Sequence, residues 1–453
     1  MTAKDTHEHR SYFAIPLLAL FAVALAGALL RPDAPLATGA PLNAGDTAWM
    51  LAASALVLFM TPGLSFFYGG MVRSRNVVST MLQSFVAMGV IGVLWVVVGF
   101  SLAFGDSLGG IIGDPRTFFM FRHVGAETSP TLAATIPLIL FAFFQLKFAI
   151  ITPALITGSF AERVRFSSYL LFICLWSLVI YCPLAHWTWH PNGFLHKWGV
   201  LDFAGGTVVH VSAGVAALVG AVVLGRRKTH LASEPHTPAN IPFVLLGTGM
   251  LWFGWFGFNA GSAGAANGQA ALAFATTNTA SAAAALTWMF IDGWKGRKPT
   301  ALGFCVGAVV GLVAITPAAG FVTVGDSLLI GAIGATVSNL MVHWRSQTTL
   351  DDTLDVFPCH GVGGMTGMIL TGIFARDVGL INGPTTTFLH HVAALVLVTA
   401  YVFVGSFVLY KVTNAIIPMR VTADDEEVGL DLSQHGEVMD EAAASAAFGL
   451  SRT

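Results

Sequence analysis

Charged residues are scarce in this sequence. Only 10% of its 453 residues are charged, whereas a typical soluble domain carries about a quarter. So few charges cannot solvate the surface of a water-soluble chain of this length, so a soluble globular protein is excluded. The formal net charge is −2, so the basic excess that binds nucleic acid is missing too. We expect no nucleic-acid partner.

Cysteine is also rare, and metal motifs are missing. The four cysteines are Cys174, Cys182, Cys305 and Cys359, and they show no metal-type spacing. We predict neither a disulfide nor a metal site, since no HExxH occurs and no carboxylate sits at helical ligand spacing to the histidines considered below. No cofactor is expected. No haem or nucleophile motif supports a membrane enzyme, which is the remote alternative.

Long apolar runs dominate instead, in a chain that is 55% hydrophobic and contains 49 glycines. The runs are continuous rather than alternating, so they predict membrane-spanning helices and not a barrel. We predict an all-α polytopic membrane protein with eleven transmembrane helices. The predicted spans are 47–70, 79–104, 132–157, 167–189, 204–225, 241–261, 271–293, 301–319, 325–345, 359–374 and 387–417.

Basic residues predict the orientation, because basic loops stay cytoplasmic. Alternate loops carry Arg73, Arg75, Arg163, Arg165, Arg226, Arg227, Lys228, Lys295, Arg297, Lys298 and Arg345. The opposite loops carry only Arg116, Arg122, Lys197 and Arg376. The first of the eleven spans therefore starts outside, residues 46–418 form the membrane domain, and 419–453 form a cytoplasmic tail.

An extra apolar run at 12–30 precedes the eleven spans. It follows Lys4 and Arg10 and contains the tripeptide ALA at 24–26, which is typical of a secretory signal peptide. Cleavage is favoured, and an uncleaved twelfth helix is the alternative, so residues 1–45 are a signal or extra helix with an extracellular lead. Both possibilities favour a bacterial inner membrane, with the N-terminus outside after cleavage.

Two histidines occupy matching places in the chain. His210 lies in the fifth span and His360 in the tenth. Five spans per half is an odd number, so the halves are predicted to be inverted repeats, followed by a long eleventh helix. Ionisable residues within a membrane usually face a cavity and mark a pathway. For either histidine alone, a hydrogen-bonded packing role is the structural alternative.

Several aromatic residues share helix faces or cluster at a predicted helix end. They are Phe144 with Phe148, Trp255 with Phe258 and Ser262, and Trp187 with Trp189. Core packing or an interfacial belt explains each of them taken singly. Together they predict an aromatic cage at the outer mouth, which would attract a cation with about 0.5–2 kcal/mol per ring.

Long motifs carry a resemblance to a known family. They are MTPGLSFFYGGMVRSRN (60–76), ITPALITGSFAER (151–163), DFAGGTVVH (202–210), GWFGFNAGS (254–262), VAITPAAGFV (313–322) and HGVGGMTG (360–367). From Asp46 to about Glu437 the chain resembles the Amt branch of the Amt/Mep/Rh ammonium transporters. The resemblance implies a homotrimer in the lipid bilayer, with one pore per subunit and a tail that docks PII-type signal proteins.

The resemblance also implies a role for each matching residue. The pore is expected at His210, His360 and Trp255. The recruitment site is expected at Phe144, Phe148, Trp189 and Ser262, and the gate at Phe148 and Phe258. Asp202 is expected to orient the recruitment site and to help release the proton, with helix capping as its structural alternative. Trp187 is a weaker rival of Trp189.

The implied activity is ammonium transport. Ammonium would be recruited outside and deprotonated, and ammonia would pass through the hydrophobic pore into the cytoplasm while the proton moves separately. An ammonium sensor with little flux and a neutral gas or water channel are the alternatives. Two positions depart from the family pattern: Lys147, expected at a subunit interface or snorkelling, and Val306, where many relatives have a small hydroxyl residue.

Overall fold

The structure is a computed structural model that describes residues 3–30 and 33–439, with side chains from residue 14 onward. The predicted tail is therefore described up to residue 439, and its last part, 440–453, lies outside the described residues. Lys4 and Arg10, on which the signal-peptide prediction partly rests, are described by their backbone only.

Helices make up nearly all of the regular structure. Their bounds are Ala3–Leu29 (α1), Ala44–Met71 (α2), Val77–Leu94 (α3), Leu138–Ile156 (α4), Phe166–Trp176 (α5), Ser212–Leu224 (α6), Ile241–Gly261 (α7), Gly268–Trp294 (α8), Ala301–Ile315 (α9), Val324–Ser346 (α10), Gly363–Phe374 (α11), Thr385–Ile416 (α12) and Ala423–Val428 (α13). Two short strands, β1 (Ser107–Leu108) and β2 (Ile112–Gly113), pair antiparallel.

Four of these helices include π-helical turns. Through such turns, α3 continues across Trp95–Gly99 into Phe100–Phe104, and α5 continues across Ser177–Tyr181 into Cys182–Trp189. Similar turns, Gly206–Val211 and Phe357–Val362, begin α6 and α11. Shorter helical segments are Ser74–Asn76, Phe119–Phe121, Thr157–Ser159, Phe194–Lys197, Lys228–Leu231 and the π-helical Asp431–His435.

The helices confirm an all-α membrane-spanning fold. Eight helical segments within the described ranges are long and apolar enough to cross a bilayer. Helices α8, α9 and α11 lie at the three other predicted positions but fall outside that set, so the count of eleven crossings stays a prediction. The run at 12–30 is helical as part of α1, and its cleavage stays a prediction too.

Small residues allow α2 and α7 to pack closely. A Cβ atom added to Gly70 of α2 would lie 2.6 Å from the carbonyl oxygen of Asn240, just ahead of α7. On α7, added Cβ atoms at Gly247 and Gly254 would collide with the backbone or side chains of α2. Glycine at these positions lets the backbones approach, as is common in membrane bundles.

Buried ion pairs join three loops at one end of the bundle. Arg227 binds Asp351 at 2.8 Å and Glu162 at 2.7 Å, and all three residues are buried. Arg163 donates to the carbonyl oxygen of Asp351 at 2.7 Å and to the hydroxyl of Thr353 at 2.7 Å. The GSFAER motif therefore supplies both an acid and a base to one buried network.

The described part of the tail packs on the same end of the bundle. Arg420 donates to the carbonyl oxygens of Leu224 (2.9 Å) and Arg226 (2.8 Å). The Asp431 carboxylate accepts the backbone N–H of Ser79 at 2.8 Å and of Val78 at 3.0 Å. The tail thereby accepts hydrogen bonds from backbone N–H groups at the start of α3 and donates one to a backbone carbonyl oxygen at the end of α6.

We predict that Asp351→Asn destabilises the protein by about 3–5 kcal/mol, because it leaves Arg227 buried without its carboxylate. Thermal unfolding in detergent measures the loss. The matched control is Glu427→Gln, which removes an exposed partner of Lys228 and should change nothing measurable. Equal melting temperatures for Asp351→Asn and the native protein would contradict the prediction.

The same ion pair predicts an acid sensitivity. Burial raises the pKa of Asp351, but the hydrogen bonds and charge of Arg227 and the charge of Arg163 outweigh it, and the pKa lies below its ordinary value. A carboxylate with a lowered pKa stabilises fully at neutral pH. Its contribution is lost as the pH falls below the ordinary aspartate value of about 4.

Candidate functional site

An aromatic cavity of about 190 Å³ opens at the end of the bundle opposite the tail. Among its lining residues are Phe148, Trp189, Phe203, Gln145 and Ser262. The indole N–H of Trp189 donates to the carbonyl oxygen of Asp202 at 3.1 Å, which fixes the ring. We call this space the outer cavity. It brings together three of the four predicted recruitment residues.

Two stacked phenylalanine rings close the floor of the outer cavity. The ring centroids of Phe148 and Phe258 are 4.2 Å apart, and the ring planes are inclined by 26°. Both side chains are buried. Phe148 lines the outer cavity, whereas Phe258 lines a second cavity deeper in the bundle. The stacked pair, predicted as a gate, therefore separates the two spaces.

The deeper space is narrow and largely apolar, with a volume of about 10 Å³. We call it the inner cavity. Its lining residues are Met60, Leu64, Phe67, Ile151, Leu155, Val209, His210, Leu251, Trp255, Phe258, Val309 and His360. A space of this size holds about one water-sized molecule. It therefore has no room for the hydration shell of an ion.

The two histidines meet in the inner cavity. The Nδ1 atoms of His210 and His360 lie 3.3 Å apart, so one of them donates and the other accepts when both rings are neutral. Trp255 stacks on His210 with a centroid distance of 5.4 Å. Its indole N–H donates to the hydroxyl of Thr316 at 2.9 Å. The Nε2 atom of His210 has no partner among the described residues.

Each histidine lies in a π-helical turn that an aspartate caps. The Asp202 carboxylate accepts the backbone N–H groups of Gly205, Gly206 and Thr207 and the hydroxyl of Thr207. Asp352 accepts the N–H of Val356 at 3.2 Å and of Phe357 at 2.8 Å. Caps of this kind satisfy the free N–H groups at a helix start. Residues 202 and 352 precede their histidines by the same eight positions.

Glycines let the two histidine segments cross. A Cβ atom at Gly214 would collide with the backbone of Gly361. A Cβ atom at Gly364 would lie 3.0 Å from the Cβ of His210 and 3.1 Å from the carbonyl oxygen of Gly206. Each glycine follows its own histidine by four positions, one helical turn, so the crossing is the same on both sides.

Some predicted residues lie elsewhere. Phe144 does not line the outer cavity in the described structure: it packs behind Phe148, with ring centroids 5.0 Å apart. Trp187 donates to the carbonyl oxygen of Ile111 at 2.7 Å and likewise stays outside the cavity lining. Lys147 places its ammonium group 5.4 Å from the centroid of the Phe143 ring.

Four further residues that were not predicted as site residues lie at this site: Gln145, Thr207, Thr316 and Asp352. Asp352 had a usable signal, because its spacing to His360 repeats the spacing of Asp202 to His210. Gln145 and the two threonines carry no such signal, because a single polar residue in an apolar run has no spacing that identifies its partner. Within the described ranges, no group of three or more metal-binding side chains occurs.

Comparison with protein families gives a match over most of the chain. The profile of the Ammonium Transporter Family matches residues 48–439. The chain is 47% identical to an ammonium transporter of Aquifex aeolicus over 408 residues, which are 88% of this chain and 94% of the relative. It is 44% identical to an ammonium transporter of Bacillus subtilis over 404 residues, 87% of this chain and 98% of the relative.

Solved structures show the same fold. The crystal structure of Saccharomyces cerevisiae Mep2 superposes with a TM-score of 0.80 at 37% identity, covering 84% of this chain and 88% of that one. A structure described as a sensor Amt protein also superposes with a TM-score of 0.80, at 27% identity, covering 86% of this chain and 98% of that one.

We predict that Gly214→Ala destabilises the protein by about 1–3 kcal/mol, because the added methyl group overpacks a backbone contact. Thermal unfolding in detergent is the measurement. Gly249→Ala, on α7, is the matched control: its added Cβ would meet nothing within 4 Å, so alanine should be neutral or slightly favourable there. Similar melting temperatures for both variants would show that the crossing tolerates a side chain.

Proposed function

We propose a transport mechanism for this chain, which belongs to the ammonium transporter family and is a multi-pass membrane protein that transports ammonium, not an enzyme. Each of the two cavities has its own step in this mechanism. The outer cavity recruits ammonium through Phe148, Trp189 and Ser262, with Phe144 supporting the Phe148 ring. The ion then gives up its proton. Ammonia passes the gate and the histidine-lined inner cavity into the cytoplasm, and the proton moves separately.

Capture is supported by the chemistry of the outer cavity. Aromatic faces attract a cation at about 0.5–2 kcal/mol per ring, and the rings of Phe148 and Trp189 lie 5.7 Å apart, one edge-on to the other. The Ser262 hydroxyl gives its hydrogen to the carbonyl oxygen of Phe258 at 2.8 Å. Its oxygen is therefore left to accept a hydrogen bond from an ammonium ion.

The observation that carries the proposal is the change in size between the two cavities, about 190 Å³ outside and about 10 Å³ inside. A charge at the membrane centre costs about 2.5–17 kcal/mol. With the lysine pKa of about 10.4 as a proxy, removing the proton at pH 7 costs about 4.6 kcal/mol. Deprotonation therefore competes with carrying the charge, and potassium has no proton to lose.

The histidine pair is the proposed polar path through the inner cavity. Two neutral imidazoles 3.3 Å apart can share one proton. Ammonia can donate to the unpaired Nε2 of His210 or accept a hydrogen bond there. Asp202 is proposed to hold the cavity wall through its carbonyl oxygen and to assist proton release. Trp255 lies beside the pair as a wall of the pore.

The remaining expectations are proposals about the cell and the assembly. The protein is proposed to lie in a bacterial inner membrane as a homotrimer, with residues 419–453 in the cytoplasm. Arg420 and Asp431 hold the tail against the same end of the bundle as the buried Arg227 ion pairs, and a PII-type protein is proposed to dock on this face. The basic loops are the support for this orientation.

Ammonium-driven current tests the proposal. Purified protein in liposomes on a solid-supported membrane receives an ammonium pulse at several pH values, with potassium as the control ion. We expect sustained current from ammonium and none from potassium. In a His210→Ala/His360→Ala double variant we expect a potassium current to appear beside the ammonium current, because the paired donor and acceptor are gone.

Two outcomes would contradict the mechanism. A double variant with intact, potassium-excluding current would remove the histidines from the proton path. Native protein that binds ammonium without current would favour the sensor, the second candidate, which the structural similarity to a sensor Amt protein supports. Internal pH changes without current would instead indicate a neutral gas channel.

A further inference from the structure

Lys147 is a cation within an otherwise uncharged membrane-spanning helix. It lies nine residues from the start of α4, about 13.5 Å along the helix axis, and its side chain is half-buried. Among the described residues its ammonium group meets no carboxylate and no hydrogen-bond acceptor, and it lies over the Phe143 ring, 5.4 Å from the centroid. Ionisable side chains within a membrane are usually paired. The partner of this one is therefore to be sought outside the bundle.

The exposed face of α4 ends at Lys147. Ile139 is 38% exposed and Phe143 is 37% exposed. They precede Lys147 by eight and four positions, so the three side chains follow one another along one face of the helix. From Phe148 to Ile156 every residue of α4 is buried. The half of α4 nearer the outer cavity thus presents a narrow apolar strip to the surroundings of the bundle, and the cation lies at the inner end of that strip.

The side chain of Lys147 runs toward the end of the bundle opposite the tail. Helical side chains lean toward the N-terminus of their helix, and Phe143 lies one turn nearer that end. Phe121, in the loop ahead of α4, packs edge-on against Phe143 with ring centroids 5.8 Å apart. The Phe143 ring is therefore held in place, and it directs the lysine toward the headgroups of that leaflet, as in other snorkelling lysines.

A second copy of the chain offers Lys147 no suitable anion. In helices α2 to α12, acidic residues occur only in a first or last turn, at Asp46, Asp292 and Asp326. Each of these already accepts a hydrogen bond or pairs with a cation in its own chain. The phosphate groups of phospholipids supply an anion at the membrane surface, and lysine binds phosphate as a point charge. Charge complementarity therefore favours a lipid over a protein partner.

We propose that Lys147 binds the phosphate group of a phospholipid in the leaflet at the end opposite the tail, with an acyl chain along Phe143 and Ile139. Phosphatidylglycerol should bind more tightly than phosphatidylcholine, because the choline group of the latter brings a second cation close to the lysine. Since α4 also carries Phe148, the lipid would contact the helix that holds half of the stacked pair. This inference does not use the transport mechanism, so the two can fail separately.

Photocrosslinking to the full-length protein in phosphatidylcholine nanodiscs tests the inference. The probe is phosphatidylglycerol with a diazirine in its acyl chain, added well below saturation so that labelling is proportional to affinity. Mass spectrometry of peptides should find the label on the segment 139–147. We expect Lys147→Met to lower that labelling about tenfold, because one charge-assisted contact is lost. Methionine keeps the length and the helix preference of lysine, so the variant should fold.

Two further variants make the result specific to this site. Lys147→Arg should retain the labelling, since a guanidinium also binds phosphate. Lys197→Met removes an exposed lysine from the loop helix Phe194–Lys197 at the same end of the bundle, and it should leave the labelling unchanged. Equal labelling in Lys147→Met and the native protein would overturn the inference. An unlabelled segment in the native protein, with a smaller oligomer in Lys147→Met, would overturn it in favour of a contact between copies.

Discussion

The pairing of two imidazoles inside an apolar bundle requires two helix backbones to approach until no side chain fits between them. Gly214 and Gly361 provide that contact, and Gly364 lies against the Cβ of His210. Only glycine leaves enough room for such a crossing. Without it, each histidine would need another buried partner, and an unpaired ring would cost the fold stability. The inner cavity, the stacked phenylalanines above it and the Trp255 wall all depend on this crossing.

The bundle holds its buried ion pairs at one end and the Asp202 cap at the other. Arg227, Glu162 and Asp351 neutralise one another at the tail end, where breaking one pair leaves an uncompensated charge. At the opposite end, the Asp202 carboxylate meets four donors of one helix start. The histidine pair lies between these two ends, and in the described part of the chain imidazoles are the only ionisable groups that line the inner cavity.

Much of the fold and part of the candidate site could be predicted from the sequence. The remaining features could not, and each has a physical reason. Apolar runs predict the all-α membrane fold, and the family motifs predict a shared site for His210 and His360, whose Nδ1 atoms lie 3.3 Å apart. The π-helical turns leave no mark in composition, because the extra residue per turn changes no periodicity that a short segment reveals. Gln145 was missed because its place in the cavity lining is visible only when every neighbouring group has been placed. Phe144 shares a helix face with Phe148, yet depth in the bundle, which spacing does not report, keeps it behind that ring.

The hydrogen bonds of Asp202 constrain where the proton of ammonium can go. Gly205 and Gly206 donate to one carboxylate oxygen, and the N–H and hydroxyl of Thr207 donate to the other, so all four acceptor positions are occupied. A further donor would have to displace one of these bonds and loosen the turn that holds His210. Asp202 orients the cavity wall through its backbone carbonyl oxygen, which accepts the indole N–H of Trp189. Under the proposed function, water in the outer cavity and the histidine pair are then left to carry the proton.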